Sequence, residues 1–281
     1  MKKTKKLLLT LTGLSIPFAT SISLVSCGNK EAYNEFAKDF VLGAKGRENY
    51  NKDTKTLDLS KEKIKVIPQG AFSYAALSEL LIKAISPNNK DGVLTPPAGI
   101  INQLTKQINI EKIILPKSLE IIEEGAFLGL GLKEITFDIA SNKLIKIKKD
   151  AFANNLLQAV VLPSSIKEIE EGAFWNNQIN SINLDDLKDL KKLSVGVLAK
   201  NRLTTINLNN INTIEESALA LNKFVNLELH DKISNASEKL FFYEGQQNSQ
   251  VVNLKVNNQK LKEFLQNALK NNNNLHYKIV D

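Results

Sequence analysis

A short pattern of apolar and polar positions recurs along most of the chain. Its clearest copy runs from Leu157 to Asn176 (LQAVVLPSSIKEIEEGAFWN), and a near-identical copy spans Ile110–Leu128. Apolar residues first alternate with polar ones, as in a short strand with one buried face. A Pro-Ser turn, a second short strand and a Gly-Ala-Phe corner follow. Self-similarity at a period of about 20–50 residues is typical of a solenoid, so we expect one continuous stack of repeats.

The first strand of each repeat carries three apolar residues, and the second of these marks the repeat. The steps between successive markers are 21 to 27 residues, with one longer step of 33. The pattern predicts about nine repeats over residues 54–256. The long step contains several Pro and Gly residues, which predicts a loop insertion at 86–106. The predicted markers are Leu57, Leu80, Ile113, Ile135, Val160, Ile182, Ile206, Leu227 and Leu254.

The Gly-Ala-Phe corner changes gradually along the chain. Its later copies lose the glycine or the phenylalanine, but an apolar residue stands where Phe stood. A packing role requires this, so we expect the phenylalanines to stack inside the solenoid. The corners are Gly70–Phe72, Gly125–Phe127, Asp150–Phe152, Gly172–Phe174, Gly196–Leu198 and Ser217–Leu219.

Two amphipathic segments flank the repeats. Apolar residues from Tyr33 to Val41 have the spacing of one helix face. We interpret this helix, within 27–53, as a cap on the first repeat, and a helix lying on a lipid surface is the alternative. Lys260–Lys270 is a second amphipathic helix, followed by a possible last strand. Because an end repeat needs a cover with a polar outer side, we expect residues 257–281 to form the C-terminal cap.

The N-terminus predicts export. A basic stretch, Met1–Lys6, precedes the apolar stretch Leu7–Val25, as in a secretory signal peptide over residues 1–26. A membrane-spanning anchor is the alternative that length alone leaves open. The sequence Leu24–Cys27 (LVSC) resembles the lipobox of bacterial lipoproteins, which implies cleavage before Cys27, acylation of its thiol and attachment to the outer surface of the cell membrane. Cys27 is the chain's single cysteine, so no disulfide within the monomer competes for it.

The strand triad, the second strand and the acidic-Gly-Ala-Phe corner together resemble the BspA-like leucine-rich repeats of bacterial surface antigens, over about residues 57–256. The resemblance implies a right-handed leucine-rich-repeat superhelix of short parallel β-strands, with short helical corners and helical caps at both ends. It also implies adhesion to host proteins or to other cells. The Phe corner is taken to distinguish this class from leucine-rich repeats that carry an asparagine ladder.

Charge excludes one class of partner. The formal net charge is +7, but four of the 37 basic residues lie in the predicted signal peptide, leaving 33 against 30 acidic residues. The mature surface is therefore nearly balanced, and it shows neither a basic stripe nor a nucleic-acid motif. We expect no nucleic-acid partner.

The sequence favours no enzyme. The two histidines, His230 and His276, have no nucleophile motif beside them. Paired acids such as Glu170-Glu171 could suggest a glycosidase, but they recur before successive corners, so we interpret them as charges favoured at helix starts. Lysines flank the acidic cluster Asp185–Asp189, which argues against calcium. We expect no cofactor, no metal and no small-molecule substrate.

Two functions fit this architecture: a surface binding module for a protein or glycan ligand, and a coat lipoprotein without a specific ligand. For the first, the binding face would consist of the residues that point outward beside the buried strand positions. In the alternative arrangement, the loop after Pro87 folds over the first of these residues and buries them. The candidate residues are Leu81, Ile114, Thr136, Val161, Asn183 and Asn207.

Overall fold

The computed structural model describes residues 30–42, 46–85, 109–139, 143–244, 250–272 and 274–281. The predicted signal peptide, Cys27 and the predicted insertion at 86–106 lie outside these ranges. The chain divides into two compact units, Met1–Lys30 and Glu31–Asp281, and the second contains the repeats.

Short strands dominate the second unit, with helices near its ends and at one excursion. The helices are α1 (Lys30–Val41), α2 (Gly46–Asn49), α3 (Tyr74–Ile85) and α4 (Gln259–Asn271), and η1 (Leu184–Asp186) is a 3-10 turn. The strands are β1 (Tyr50–Asn51), β2 (Thr56–Asp58), β3 (Val66–Ile67), β4 (Lys112–Ile114), β5 (Ile121–Ile122), β6 (Glu134–Thr136), β7 (Lys146–Ile147), β8 (Ala159–Val160), β9 (Glu168–Ile169), β10 (Ser181–Ile182), β11 (Lys192–Leu193), β12 (Thr213–Ile214), β13 (Asn226–Leu229), β14 (Asn235–Ala236), β15 (Val252–Val256) and β16 (Tyr277–Val280).

The strands form two parallel arrays, as a solenoid requires. We call the array of first strands sheet A; its hydrogen-bonded groups are β1-β2-β4-β6, with β1 antiparallel to β2, then β8-β10, and β13-β15-β16. In sheet A, Leu57 aligns with Ile113, and Ile113 aligns with Ile135. Sheet B contains the second strands, grouped as β3-β5-β7-β9 and β11-β12-β14. The predicted parallel-strand solenoid is confirmed.

One predicted repeat is wrong. Leu80 was expected in a strand, but it lies in helix α3, where Leu77, Leu80 and Leu81 are buried. Strand β2 pairs directly with β4, so this segment adds no coil to the stack. Its apolar spacing fits a helix as well as a strand triad. Alanine and leucine, which favour helices, decide the outcome over Tyr74–Ile85.

The corners are successive hydrogen-bonded turns rather than the short helices that the resemblance implied. Their first residue has a positive φ, for example 61° at Gly172, 53° at Asp150 and 57° at Ser217. Glycine adopts this left-handed conformation without steric cost, which explains its recurrence. Asp150 and Ser217 adopt it at some cost, so the corner tolerates the loss of its glycine.

The corner phenylalanines stack along the interior, as predicted. The ring centroids of Phe72 and Phe127 lie 5.5 Å apart, those of Phe127 and Phe152 5.1 Å, and those of Phe152 and Phe174 5.4 Å. Neighbouring rings are within 8° of parallel, and all four are fully buried. Aromatic pairs at these separations add stabilisation beyond their buried area.

An asparagine ladder runs beside the phenylalanine stack, so the expectation that the Phe corner excludes such a ladder is wrong. In Asn177, Nδ2 donates to the carbonyl oxygens of Phe152 (2.9 Å) and Phe174 (3.2 Å), and Oδ1 accepts from the backbone N–H of Leu157 (3.1 Å). Each such side chain therefore satisfies backbone groups that would otherwise be buried unpaired. The ladder consists of Asn155, Asn177, Asn201 and Asn222.

Helices pack on the core at both ends. The ring of Phe36 in α1 lies 5.8 Å from that of Phe72, and the ring of Phe40 lies 6.4 Å from it. These contacts fit a cap on the first coil better than a helix on a lipid surface. At the other end α4 buries Leu261 and Leu265, whereas Phe264 is 48% exposed. Helix α4 connects β15 to β16, which pair in parallel.

Candidate functional site

The outward residues of sheet A form a row along the solenoid. Ile114 and Thr136 are directly aligned, and both are half-buried. Val161, on the following coil, is 53% exposed. Farther along, Asn183 is half-buried and Asn207 is exposed. Five of the six predicted residues therefore occupy corresponding positions on successive coils.

Leu81, the sixth residue, does not belong to this row. It lies in α3 and is only 5% exposed, packed into the apolar core. The expectation that Leu81 points outward is therefore wrong, because it is part of the buried face of α3. The loop expected to cover Leu81 and Ile114 lies outside the described residues, so that alternative stays a prediction.

The charged residues beside Ile114 are already paired with each other. Lys112 contacts Glu134 across neighbouring coils at 2.6 Å. Glu111 contacts Lys55 at 2.6 Å and Lys133 at 2.8 Å. The hydrogen bonds from Lys133 and Lys55 lower the pKa of Glu111 to about 2. The exposed Val161 therefore lies one coil beyond a group of lysines and glutamates whose charges are paired.

The asparagines of the row differ in their availability. Asn183 donates to the carbonyl oxygen of Leu162 (3.0 Å) and accepts from the N–H of the same residue (2.8 Å). Its amide thus replaces a strand hydrogen bond between two coils, which is a structural role. Among the described residues, Asn207 accepts one local bond, from the N–H of Asn209 at 2.9 Å.

A shallow polar cleft lies at the carboxyl ends of the last sheet A strands. Its volume is about 280 Å³. It contains His230, whereas the ring of His276 stacks on Phe242 with centroids 6.2 Å apart. The two histidines are therefore in different environments, and the cleft was not predicted. The residues that line it are Asn209, His230, Asp231, Lys232 and Asn257.

The paired acids before the corners make ion pairs between coils. Lys146 contacts Glu168 at 3.0 Å and Glu170 at 2.7 Å, and Lys148 contacts Glu123 at 2.7 Å. The corners contain no helix, so the helix-start interpretation is wrong. Lysines one coil away explain the recurrence of these acids. A carboxylate held by a lysine in this way is poorly suited to act as a glycosidase acid.

Within the described ranges, no group of three or more His, Cys, Asp or Glu side chains could hold a metal ion. In that part of the chain, no helix is both long and apolar enough to cross a membrane.

Comparison with known proteins identifies the repeats. The model of the BspA type leucine rich repeat region matches in six copies, over residues 100–221, 139–248 and 188–280. The chain belongs to the BspA-type leucine-rich repeat family. The residues matched by this family model include β4 to β16 with their corners and the whole asparagine ladder.

Two solved structures are similar to the BspA-type solenoid. One is the crystal structure of the pneumococcal vaccine antigen PcpA, at 16% identity and a TM-score of 0.43, matching 69% of this chain and 51% of that one. The other is a leucine-rich repeat protein from Bacteroides ovatus, at 13% identity and a TM-score of 0.34, matching 60% and 51%. The chain thus spans about half the length of each. No curated protein matches it.

Proposed function

We propose that this protein is a lipid-anchored surface lipoprotein that acts as a non-catalytic binding module, and that sheet A adheres to a host protein or glycan. One observation carries the proposal: the outward row of sheet A presents Val161, 53% exposed, one coil beyond the paired charges of Lys112 and Glu134. An exposed apolar position next to neutralised charge costs little to desolvate, and exposed apolar patches with polar rims mark interaction sites.

The anchor is proposed from the sequence alone. The LVSC motif at Leu24–Cys27 places the cysteine directly after the apolar stretch of the signal peptide. Several acyl chains on Cys27 would hold the protein on the membrane stably, whereas one chain would bind only marginally. The repeats would then stand on the outer surface, where a host ligand can reach sheet A.

The rival function is a coat lipoprotein without a specific ligand. A coat without a ligand would carry paired charges over its whole surface. Sheet B does so, because its outward lysines and glutamates pair between coils, as Lys146 and Glu168 do. Sheet A departs from this pattern at Val161 and on the next two coils, before Glu228 pairs with Lys255. The difference between the two faces of one solenoid favours the binding module.

The test is adhesion of the full chain to host cells and matrix proteins after the substitutions Ile114→Lys and Val161→Lys. The two new lysines on sheet A should reduce adhesion at least tenfold, because each would bury an unpaired ammonium group in the contact with the ligand. The matched control places two lysines elsewhere, at Val66 (38% exposed) and Val195 (39% exposed), and should adhere like the parent. A folded sheet A variant that adheres as strongly as the parent would overturn the proposal.

A further inference from the structure

The two outward faces of the solenoid differ in chemistry after Val161. On sheet B charges continue to pair, as between Lys192 and Glu215 at 3.2 Å. On sheet A the outward positions of the next two coils are neutral hydrogen-bonding residues, although 24% of the chain is charged. On the third coil Asn226 precedes Glu228, whose charge is paired with Lys255 at 3.6 Å. The neutral residues are Ser181, Asn183, Thr205, Asn207 and Asn226.

Three of these side chains, together with Asn253, form a surface that we call the amide strip: Thr205, Asn207, Asn226 and Asn253. Residues 203–208 continue sheet A between β10 and β13, since the N–H of Arg202 donates to the Ile179 carbonyl and that of Lys223 to Leu203. Thr205, Asn207 and Asn226 are exposed, and Asn253 is half-buried. Asn226 and Asn253 are aligned on paired strands, which lie about 4.8 Å apart, and Thr205 and Asn207 lie on the segment before them.

The amide strip retains hydrogen-bonding capacity. Asn253 and Asn226 are aligned in register, and Nδ2 of Asn253 donates to Oδ1 of Asn226 at 2.8 Å. An amide carries two donors and two lone pairs, so this one bond leaves the Nδ2 donors of Asn226 and the Oδ1 acceptor of Asn253 for a ligand. The pair thus presents a donor and an acceptor side by side.

The amide strip continues into the polar cleft. Asn207 and Asn209 are joined by the local hydrogen bond of 2.9 Å, and Asn209 lines the cleft. On the far side of the cleft, Asn257 donates through Nδ2 to Oε1 of Glu228 at 2.8 Å. The cleft also contains Asp231, so acidic groups accompany its histidine and lysine. The combined surface runs across at least three coils.

We propose that the amide strip and the polar cleft bind a neutral oligosaccharide of the host surface, which specifies the ligand class within the proposed function. A sugar hydroxyl donates and accepts at once, and paired asparagine amides match this requirement without charge. Glu228 is paired with Lys255 at 3.6 Å, and Asp231 shares the cleft with Lys232, so these groups offer an acidic glycan no surplus of cations. A chain lying across the strands repeats its contacts at each coil, so affinity rises with the number of sugar units.

The test is titration calorimetry of the full chain in detergent with neutral cello-, chito- and malto-oligosaccharides, and with heparin as the acidic probe. We expect at least one neutral series to bind, with the hexasaccharide tighter than the disaccharide. Asn207→Ala with Asn226→Ala should weaken this binding roughly tenfold, the loss of two neutral hydrogen bonds. Thr205→Val provides a second variant with little risk to folding, because Thr205 is exposed.

Two controls separate this inference from the proposed function. Asn212→Ala with Asn235→Ala removes two exposed amides outside the strip and should bind the sugar like the parent. The Ile114→Lys, Val161→Lys variant should also keep sugar binding. If no neutral series binds, if heparin alone binds, or if strip variants bind like the parent, the glycan assignment is overturned. Adhesion that still depends on Ile114 and Val161 would then leave the proposed function standing.

Discussion

Asp150 and Gly172 occupy the same corner position in consecutive coils, and they touch. A Cβ atom added to Gly172 would lie 2.3 Å from Oδ1 of Asp150, far inside van der Waals contact. Gly172 also has a φ of 61°. Two features therefore require glycine at position 172: the left-handed backbone and the Asp150 side chain of the preceding coil.

We expect Gly172→Ala to destabilise the protein more than Gly196→Ala does. Both residues have a left-handed backbone, which costs an alanine about 1–2 kcal/mol. Only Gly172 has a neighbour in the way, since nothing lies within 4 Å of the corresponding point at Gly196. Chemical denaturation of both variants measures the difference.

The Asp150 side chain can be removed to test the same contact. In an Asp150→Gly background, Gly172→Ala should cost no more than Gly196→Ala, because the oxygen that it would strike is gone. A double-mutant cycle reports this coupling. Additive effects of the two substitutions would show that Asp150 moves aside without cost.

Asp150 should also make stability depend on pH. Burial raises the pKa of its carboxyl from 3.8 to about 6, although Lys149 partly opposes the shift. A group whose folded pKa is raised stabilises the fold when protonated, below its ordinary pKa, and this contribution is lost as the pH rises through 6. Relative to the parent, Asp150→Asn should therefore gain stability between about pH 4 and 7. Denaturation midpoints across that range test it, and parallel profiles for the two proteins would contradict it.

Phe152→Ala should cost about 3–5 kcal/mol, the loss of a buried aromatic plus the cavity left behind. Phe152 stacks on Phe127 and on Phe174, so both neighbouring coils lose a contact. Phe152→Leu should cost less, because Leu198 already serves at this corner position. Hydrogen exchange should increase first near residues 127–174, since each coil depends on its neighbours. Unchanged exchange there would exclude a role for the stack.

Asn177→Leu should be more damaging than its change in volume suggests. It leaves the buried N–H of Leu157 without its partner, at about 1–3 kcal/mol. It also removes one of the two amide donors to the carbonyls of Phe152 and Phe174. These carbonyls keep their bonds from Asn155 and Asn201. Asn177→Asp should also destabilise, because a carboxylate cannot donate to the two carbonyls. The control is Asn235→Leu, at an exposed position. Equal unfolding free energies for Asn177→Leu and the control would rule out the ladder as a stabilising feature.

Cys27→Ser should leave the protein without lipid. The serine hydroxyl cannot replace the thiol that the lipobox presents for acylation, so palmitate labelling should be lost and most of the protein should leave the detergent phase on partitioning. Ser26→Ala, which keeps a small residue before the cysteine, is the matched control and should remain labelled. A palmitate-labelled Cys27→Ser protein in the membrane fraction would contradict the anchor.

The sequence predicted the features that repeat and missed those that depend on context. Alternation around Val160 and the recurring Phe152 correctly indicated the strands and the stack, because burial dictates both patterns directly. Leu80 was misassigned because its spacing satisfies a helix and a strand triad equally. The asparagine ladder could have been found, since an Asn stands two residues before Leu157 and again before Ile179.

The candidate site was harder to predict than the fold. Outward positions follow from the strand period, which located Val161 and Asn207. The strand period does not reveal which side chains bond to the backbone. The sequence therefore could not identify Asn183 as a residue whose amide joins two coils. The cleft escaped notice because its lining residues come from three separate turns that only the stacking brings together.

The uniform spacing of the phenylalanine stack has an evolutionary consequence. The junction between Phe127 and Phe152 uses nearly the same distance and ring angle as the junction between Phe152 and Phe174. A recombination event that duplicated or deleted one whole coil between them would rejoin surfaces that already fit. Gene copies could then diverge in the number of coils without a new interface having to evolve. The length of the solenoid surface would become a trait on which selection acts.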